Sequence, residues 1–187
     1  MPALARVLHI LPVAVLVWLA VGAGMIFKPD LGRRDPRGLG IVASLWGMIA
    51  VMQVGRVAPA WMAIAGVAGL ATALVLFHWA AFSIRGRQFS YAGNDDVPQF
   101  EHSTGPYAYV RNPFYVSYLL TEISTVVLWP SIWGLAFIVL ATLYFQWLAR
   151  FEEDKFARSP VADEYARYKA RTGRLLPRVS FAAASRS

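Results

Sequence analysis

The stretch NPFYVSYLLTEISTVVLWPSIWGLAFIVLATLYFQWLA, residues 112–149, contains a single charged residue, Glu122. As one helix it would extend about 57 Å, whereas the hydrocarbon core of a bilayer is about 30 Å thick. The Trp129-Pro130-Ser131 segment divides the stretch into two apolar halves, and proline readily ends a helix. The sequence therefore predicts two antiparallel membrane helices joined by a tight turn.

Three further stretches, 7–27, 38–55 and 57–84, contain no Asp, Glu, Lys or Arg. Hydrophobic residues make up 57% of the 187-residue chain, charged residues 16%, and the mean hydropathy is +0.46. This composition is typical of a membrane protein. The first stretch is longer than the apolar core of a signal peptide and lacks a clear cleavage site, so we expect it to be retained as a span.

The predicted fold is an all-α integral membrane protein with about five transmembrane helices and a cytoplasmic helical tail. With five spans the termini lie on opposite faces. All but two of the 18 Lys and Arg residues then fall on the face of the third loop and the C-terminal tail; the exceptions are Arg6 and Arg56. Such a bias marks the cytoplasmic side. The net charge of +7 is therefore attributed to anionic lipid rather than to nucleic acid.

This topology brings two polar clusters to the same end of the last hairpin. One is Gly105–Tyr115, which enters the fourth span, and the other is Arg150–Asp154, which leaves the fifth. Neighbouring helix axes lie about 8–10 Å apart. Residues about forty apart in sequence should therefore be neighbours in space.

The chemistry of these clusters suits a zwitterionic ligand with an additional positive charge. Asn112 is a good N-cap and Pro113 a good first helical residue. A helix N-terminus beside Arg111 favours a carboxylate or phosphate, and Glu152 and Glu153 favour a cationic group. The alternative is that Arg111 reaches lipid phosphates while the two glutamates form solvated surface pairs.

Three motifs around this hairpin carry a family resemblance. They are Gly-Pro-Tyr-x-Tyr-Val-Arg-Asn-Pro-x-Tyr at 105–115, Glu152-Glu153, and Glu-Tyr-x-x-Tyr at 164–168 followed by Arg-Leu-Leu-Pro at 174–177. In this order they resemble the isoprenylcysteine carboxyl methyltransferase and phospholipid methyltransferase superfamily. Members of that superfamily are membrane enzymes that use S-adenosylmethionine and modify lipid-like substrates.

The resemblance implies specific roles for these residues. The cofactor pocket would be formed by Tyr107, Arg111, Asn112, Pro113, Tyr115, Glu152 and Glu153. From a tail helix lying over the site, Glu164, Arg171 and Arg174 could reach the substrate. The resemblance favours Arg174, which would hold a carboxylate or phosphate; a tail that merely rests on anionic lipid is the alternative. The family usually has His where this chain has Asn112, which cannot titrate near neutrality. A proton-transfer role at that position is therefore not expected.

The domain prediction is a single unit over residues 1–187, with a catalytic region at about 105–178 and disorder at 179–187. A tail helix is predicted to begin with Ser159 as N-cap and Pro160 as first residue, to stop at Gly173, and to lie over the site through Tyr165 and Tyr168.

Glu122 is interpreted either as a functional intramembrane carboxyl or as an interhelical hydrogen-bonding group. No His, Asp or Glu spacing indicates a metal site. With no cysteine in the chain, thiolate chemistry is excluded.

The expected function is methyl transfer from S-adenosylmethionine to a lipid-like acceptor that enters from the bilayer. Because a carboxylate needs no base, O-methylation of an isoprenylcysteine-type carboxylate is slightly favoured. The alternatives are a phospholipid N-methyltransferase, an NADPH-dependent sterol-type reductase, and a non-catalytic membrane protein. Usage rich in Ala, Val and Arg suggests a bacterial inner membrane. The oligomeric state is left open.

Overall fold

The computed structural model describes residues 2–28, 36–54, 56–85, 89–90 and 103–178. The terminal segment 179–187, predicted to be disordered, lies outside these residues, as do Arg33, Arg34, Arg87 and Arg186. Helices dominate the described chain, in agreement with the predicted class. The elements are α1 (Pro2–Ile26), β1 (Phe27–Lys28), α2 (Pro36–Val54), α3 (Ala60–Ser83), β2 (Phe89–Ser90), a 3-10 turn (Gly105–Ala108), α4 (Pro113–Leu128), α5 (Ile132–Phe156) and α6 (Ala162–Arg171).

Three helical segments among the described residues are long and apolar enough to cross a membrane: His9–Ile26, Ala60–Ser83 and Ile132–Phe156. Helix α4 is apolar but has 16 residues, a length of about 24 Å. Many large apolar side chains of α1, α3 and α5 point outward, including Trp18, Ile64 and Leu140. An outward-facing apolar surface of this kind suits contact with lipid. The count of five spans stays a prediction.

The turn between α4 and α5 confirms the predicted break at Trp129-Pro130-Ser131. Helix α4 ends at Leu128, and Ser131 is the N-cap of α5, with its Oγ accepting a hydrogen bond from Gly134 N at 3.0 Å. The carbonyl oxygen of Leu128 accepts from Ala58 N at 3.0 Å. Both ends of the hairpin turn are thereby anchored.

Helix α4 is the centre of the bundle and packs against α1, α2, α3 and α5. Its buried hydroxyls do not need partners on other helices. Ser117, Thr121, Ser124 and Thr125 each donate to a backbone carbonyl three or four residues earlier, at 2.6–2.8 Å. This local bonding makes the polar side chains compatible with burial.

Glu122 is the exception on α4, because it is a carboxyl group that is only 1% exposed. Ser44 Oγ on α2 donates a hydrogen bond to Glu122 Oε1. Among the described residues, Oε2 has no hydrogen-bond partner. The interhelical hydrogen bond that the second interpretation required is therefore present.

The contact between α3 and α4 depends on small residues of α3. Ala65, Gly69 and Ala73 recur every four residues, a pattern that predicts close helix packing, but Ala65 is exposed and Gly66 takes its place against α4. The buried residues of α3 are Gly66, Leu70, Ala73, Phe77 and Ala80. Their spacing alternates between three and four residues, as 3.6 residues per turn requires. A strict repeat of four residues therefore predicts the exposed Ala65 in place of the buried Gly66.

Gly66→Ala is expected to destabilise the protein by about 1–3 kcal/mol. A Cβ at this position would lie 2.6 Å from Leu128 Cγ and 3.1 Å from Ser124 O, so α3 and α4 would have to move apart. The measurement is the thermal midpoint of the purified protein in detergent. Gly24→Ala is the matched control, because a Cβ there meets nothing within 4 Å. Equal midpoints for the two variants would contradict the close contact.

Helix α6 begins later than predicted, with Val161 as N-cap and Ala162 as first residue. Ser159 does not cap it, because its Oγ donates to Phe156 O at 2.8 Å and accepts from Val161 N at 3.3 Å. This turn belongs to the end of α5. The predicted buried face is correct, since Tyr165 and Tyr168 are buried, and the helix ends at Arg171, two residues before Gly173.

Candidate functional site

The start of α4 and the end of α5 meet at one end of the bundle, as the hairpin predicts. Arg111 donates to Glu153 Oε1 from Nε at 3.0 Å and from Nη2 at 2.8 Å. The two residues are 42 positions apart in sequence. Their side chains are only 8% and 3% exposed, so the ion pair is shielded from water.

Glu153 also forms ion pairs with cationic side chains of the tail. Arg174 donates from Nε to Oε1 at 2.9 Å and from Nη2 to Oε2 at 2.8 Å, and Lys169 Nζ lies 3.3 Å from Oε2. The hydrogen bond to Glu153 raises the pKa of Arg174 above its ordinary value. Three cationic groups therefore surround one carboxylate, and the cluster carries surplus positive charge.

Glu152 has a different environment. Its Oε1 accepts a hydrogen bond from Tyr115 OH at 2.7 Å, which joins the α4 motif to the glutamate pair a second time. The Tyr115 ring is stacked with Phe145 at a centroid distance of 5.3 Å, and Tyr118 is stacked with the same ring at 5.9 Å. Glu152 therefore lies at the edge of a buried aromatic group.

Backbone hydrogen bonds fasten the segment after α6 to the loop before α4. Arg111 N donates to Gly173 O at 2.8 Å, and Asn112 N donates to Arg174 O at 3.2 Å. Val110 and Gly173 form an isolated parallel bridge. The tail is thereby held beside the first turn of α4.

Asn112 occupies the predicted N-cap position of α4, with Pro113 as first residue, but its side chain does not cap the helix. Its Nδ2 donates instead to Arg174 O at 3.3 Å. The N-cap prediction is therefore right for the position and wrong for the side chain. Asn112 helps to attach the tail.

Tyr107 and Gly105 fix the course of the loop. The carbonyl oxygen of Tyr107 accepts from Tyr168 OH at 2.7 Å, and burial raises the pKa of the Tyr107 phenol, which stays neutral. Gly105 has φ +61°, and a Cβ there would overlap Ser83 and lie 3.3 Å from Trp79 Nε1. Only glycine combines this backbone conformation with so close an approach to α3.

Not every predicted residue joins the cluster. Glu164 is exposed on α6, outside the contacts described above. Arg171 is also exposed, with its guanidinium 5.9 Å from the Tyr168 ring centroid. Within the part of the chain that the structure describes, no group of three or more His, Asp or Glu could hold a metal ion.

Sequence reasoning missed three participants: Lys169, Thr172 and Gln146. Lys169 pairs with Glu153, the Thr172 carbonyl accepts from Arg111 Nη1, and Gln146 Oε1 accepts from Arg174 Nη1 at 3.2 Å. The position of Lys169, four residues after Tyr165 on α6, is the one available signal, because that spacing places both on the same helix face.

The family model for phospholipid methyltransferase matches residues 61–160. The match extends from α3 through the last hairpin and includes both Arg111 and Glu153, whereas Arg174 and Glu164 lie beyond it. No curated protein matches the chain. Because the matched region exceeds half of the 187 residues, this membrane protein belongs to the phospholipid methyltransferase family.

Proposed function

We propose that the chain transfers a methyl group from S-adenosylmethionine to a lipid-like acceptor. The observation that carries this proposal is the convergence at one end of the bundle. Arg111 contacts Glu153, and Tyr115 contacts Glu152. These two contacts bring the motif before α4 and the glutamate pair into a single cluster. The family match supports a methyltransferase acting on lipid.

The residues present fit the charges of S-adenosylmethionine. The cofactor carries a carboxylate, an ammonium and a sulfonium. The surplus positive charge around Glu153 and the N-terminus of α4 suit the carboxylate, and Glu152 suits a cationic group. In the proposed pocket, Tyr107, Arg111, Asn112, Pro113 and Tyr115 form one side and Glu152 forms the other, while Glu153 holds Arg111 through their ion pair.

The protein's part in the reaction is to orient the acceptor and to exclude water. S-adenosylmethionine supplies a methyl group that is already activated, so alignment of a nucleophile is the main requirement. Buried aromatic rings of Tyr115, Tyr118 and Phe145 provide an apolar wall beside Glu152. Asn112 moves no proton, which is compatible with an acceptor that is nucleophilic as it stands.

Two acceptor classes follow from different observations. Asn112 in place of the superfamily's usual His favours a carboxylate of the isoprenylcysteine type, which needs no base. The family description favours a phospholipid, in which the nucleophile would be a head-group amine. In either case we propose that the acceptor enters from the bilayer and the cofactor from the cytoplasm, at the inner face of a bacterial inner membrane.

Calorimetric titration of the detergent-purified protein with S-adenosylmethionine and with NADPH tests the proposed cofactor. Binding of S-adenosylmethionine alone is expected. Binding of NADPH alone would indicate a reductase, because the pocket would then recognise phosphates. Binding of neither would indicate a non-catalytic protein. Both of these results would overturn the proposal.

The acceptor class can be read from the labelled product. Membranes containing the protein are incubated with methyl-labelled S-adenosylmethionine, and the lipid fraction is treated with mild alkali. A methyl ester releases its label as methanol, whereas an N-methyl amine retains it. Membranes containing the Glu152→Gln variant are the matched control.

A further inference from the structure

The two adjacent glutamates at the end of α5 have separate partners. Glu153 contacts Arg111, Arg174 and Lys169, whereas Glu152 accepts from Tyr115 OH. Consecutive residues of a helix point in directions about 100° apart. The pair therefore does not act as one acidic surface.

Side-chain donors of the protein itself occupy the hydrogen-bond acceptor positions of Glu153. Its Oε1 receives Arg111 Nε, Arg111 Nη2 and Arg174 Nε, and its Oε2 receives Arg174 Nη2 and pairs with Lys169 Nζ. A carboxylate has about four lone-pair positions. With the side chain 3% exposed, neither an acceptor position nor an open surface is left for a ligand.

The two arginines that Glu153 holds also fix the tail. Arg111 donates through Nη1 to the carbonyl oxygens of Thr172 and Lys169. Arg174 is part of the segment whose backbone pairs with Arg111 and Asn112. Glu153 is thus the common anchor of the loop before α4 and the segment after α6.

We infer that Glu153 is a positioning residue that fastens the 172–174 segment to the loop before α4, and that Glu152 is the glutamate that contacts the cationic part of the cofactor. The first half concerns the protein alone. The second half rests on the proposed function. Arg174 donates hydrogen bonds from Nε and Nη2 to Glu153. Only its remaining N–H groups can therefore contact a substrate.

Limited trypsin digestion of the ligand-free protein in detergent tests the first half. Glu153→Gln is expected to speed cleavage after Lys169, Arg171 and Arg174 about tenfold or more, because cleavage follows the population of detached tail. Asp154→Asn is the matched control: it removes one negative charge from the adjacent, exposed position and should leave the rate unchanged. Glu152→Gln should also leave it unchanged.

Arg174→Gln is the second variant, because Arg111 and Lys169 still neutralise Glu153 in it and folding is less threatened. It should speed cleavage after Lys169 and Arg171; the trypsin site at 174 is absent from this variant. Wild-type cleavage rates in both Glu153→Gln and Arg174→Gln would overturn the inference. Helical content by circular dichroism verifies that each variant is folded.

The Kd for S-adenosylmethionine tests the second half. Glu152→Gln should weaken binding about tenfold or more while its trypsin cleavage rate stays that of the wild type, because a carboxylate facing a cationic group is lost and the tail stays attached. Asp154→Asn is the matched control and should leave Kd unchanged, and a wild-type Kd in Glu152→Gln would overturn the role given to Glu152. Absence of binding in the wild type would defeat the proposed function and with it the role of Glu152, while the trypsin result would still decide whether Glu153 fastens the tail.

Discussion

Arg111→Ala is expected to lower the free energy of unfolding by about 3 kcal/mol, because a buried cation with several hydrogen bonds is removed. The variant loses two hydrogen bonds to Glu153 and two to the carbonyl oxygens of Thr172 and Lys169. The thermal midpoint in detergent should fall by roughly 6–12 °C. Calorimetry should show no binding of S-adenosylmethionine by the folded variant.

Arg158→Ala is the control for this prediction. Arg158 is exposed in the turn after α5, so its removal deletes the same charge near the same end of the bundle without opening the buried cluster. Its midpoint and cofactor affinity should match the wild type. If Arg111→Ala bound the cofactor normally, the argument that Arg111 helps to form an anion receptor would be wrong.

Glu152→Ala is expected to weaken S-adenosylmethionine binding by about thirtyfold or more, because a carboxylate facing a cationic ligand is lost in a partly buried place. The stability cost should be smaller, about 1–3 kcal/mol, for the Tyr115 hydroxyl that loses its acceptor. Calorimetry gives the affinity, and the thermal midpoint gives the stability. Asp154→Asn is again the matched control.

Arg111→Ala should reduce stability and affinity together, whereas Glu152→Ala should reduce mainly affinity. Full cofactor affinity in Glu152→Ala would remove Glu152 from the proposed pocket. No residue on the aromatic side of the cluster would then be proposed to contact the sulfonium.

The proximity of Arg111 and Glu153 could be predicted from the sequence because it depends on simple geometry, whereas their direct ion pair was not predicted. An apolar stretch too long for one span, with a proline turn at Trp129-Pro130-Ser131, has to fold back. Its two ends then meet, whatever the details of packing. The family resemblance adds the chemical roles, which the geometry alone does not supply.

The arrangement of the tail could not be predicted in the same way. Arg174 was expected to bind substrate, but in the structure its Nε and Nη2 bind Glu153. This outcome depends on the backbone bridge between Val110 and Gly173. Helical periodicity contains no information on such a bridge, because both segments lie outside the helices. The buried face of α3, by contrast, does follow from helical periodicity: with 3.6 residues per turn, a strict repeat of four residues predicts Ala65 where the structure buries Gly66.

Because the bridge joins the loop before α4 to the segment after α6, the candidate site cannot form until that later segment has been synthesised. Arg174 is made 21 residues after Glu153, a delay of about 1–4 s at 5–20 residues per second. The sequence of the hairpin is therefore complete before the last cation of the cluster is made, and assembly of the candidate site has to wait for the segment after α6.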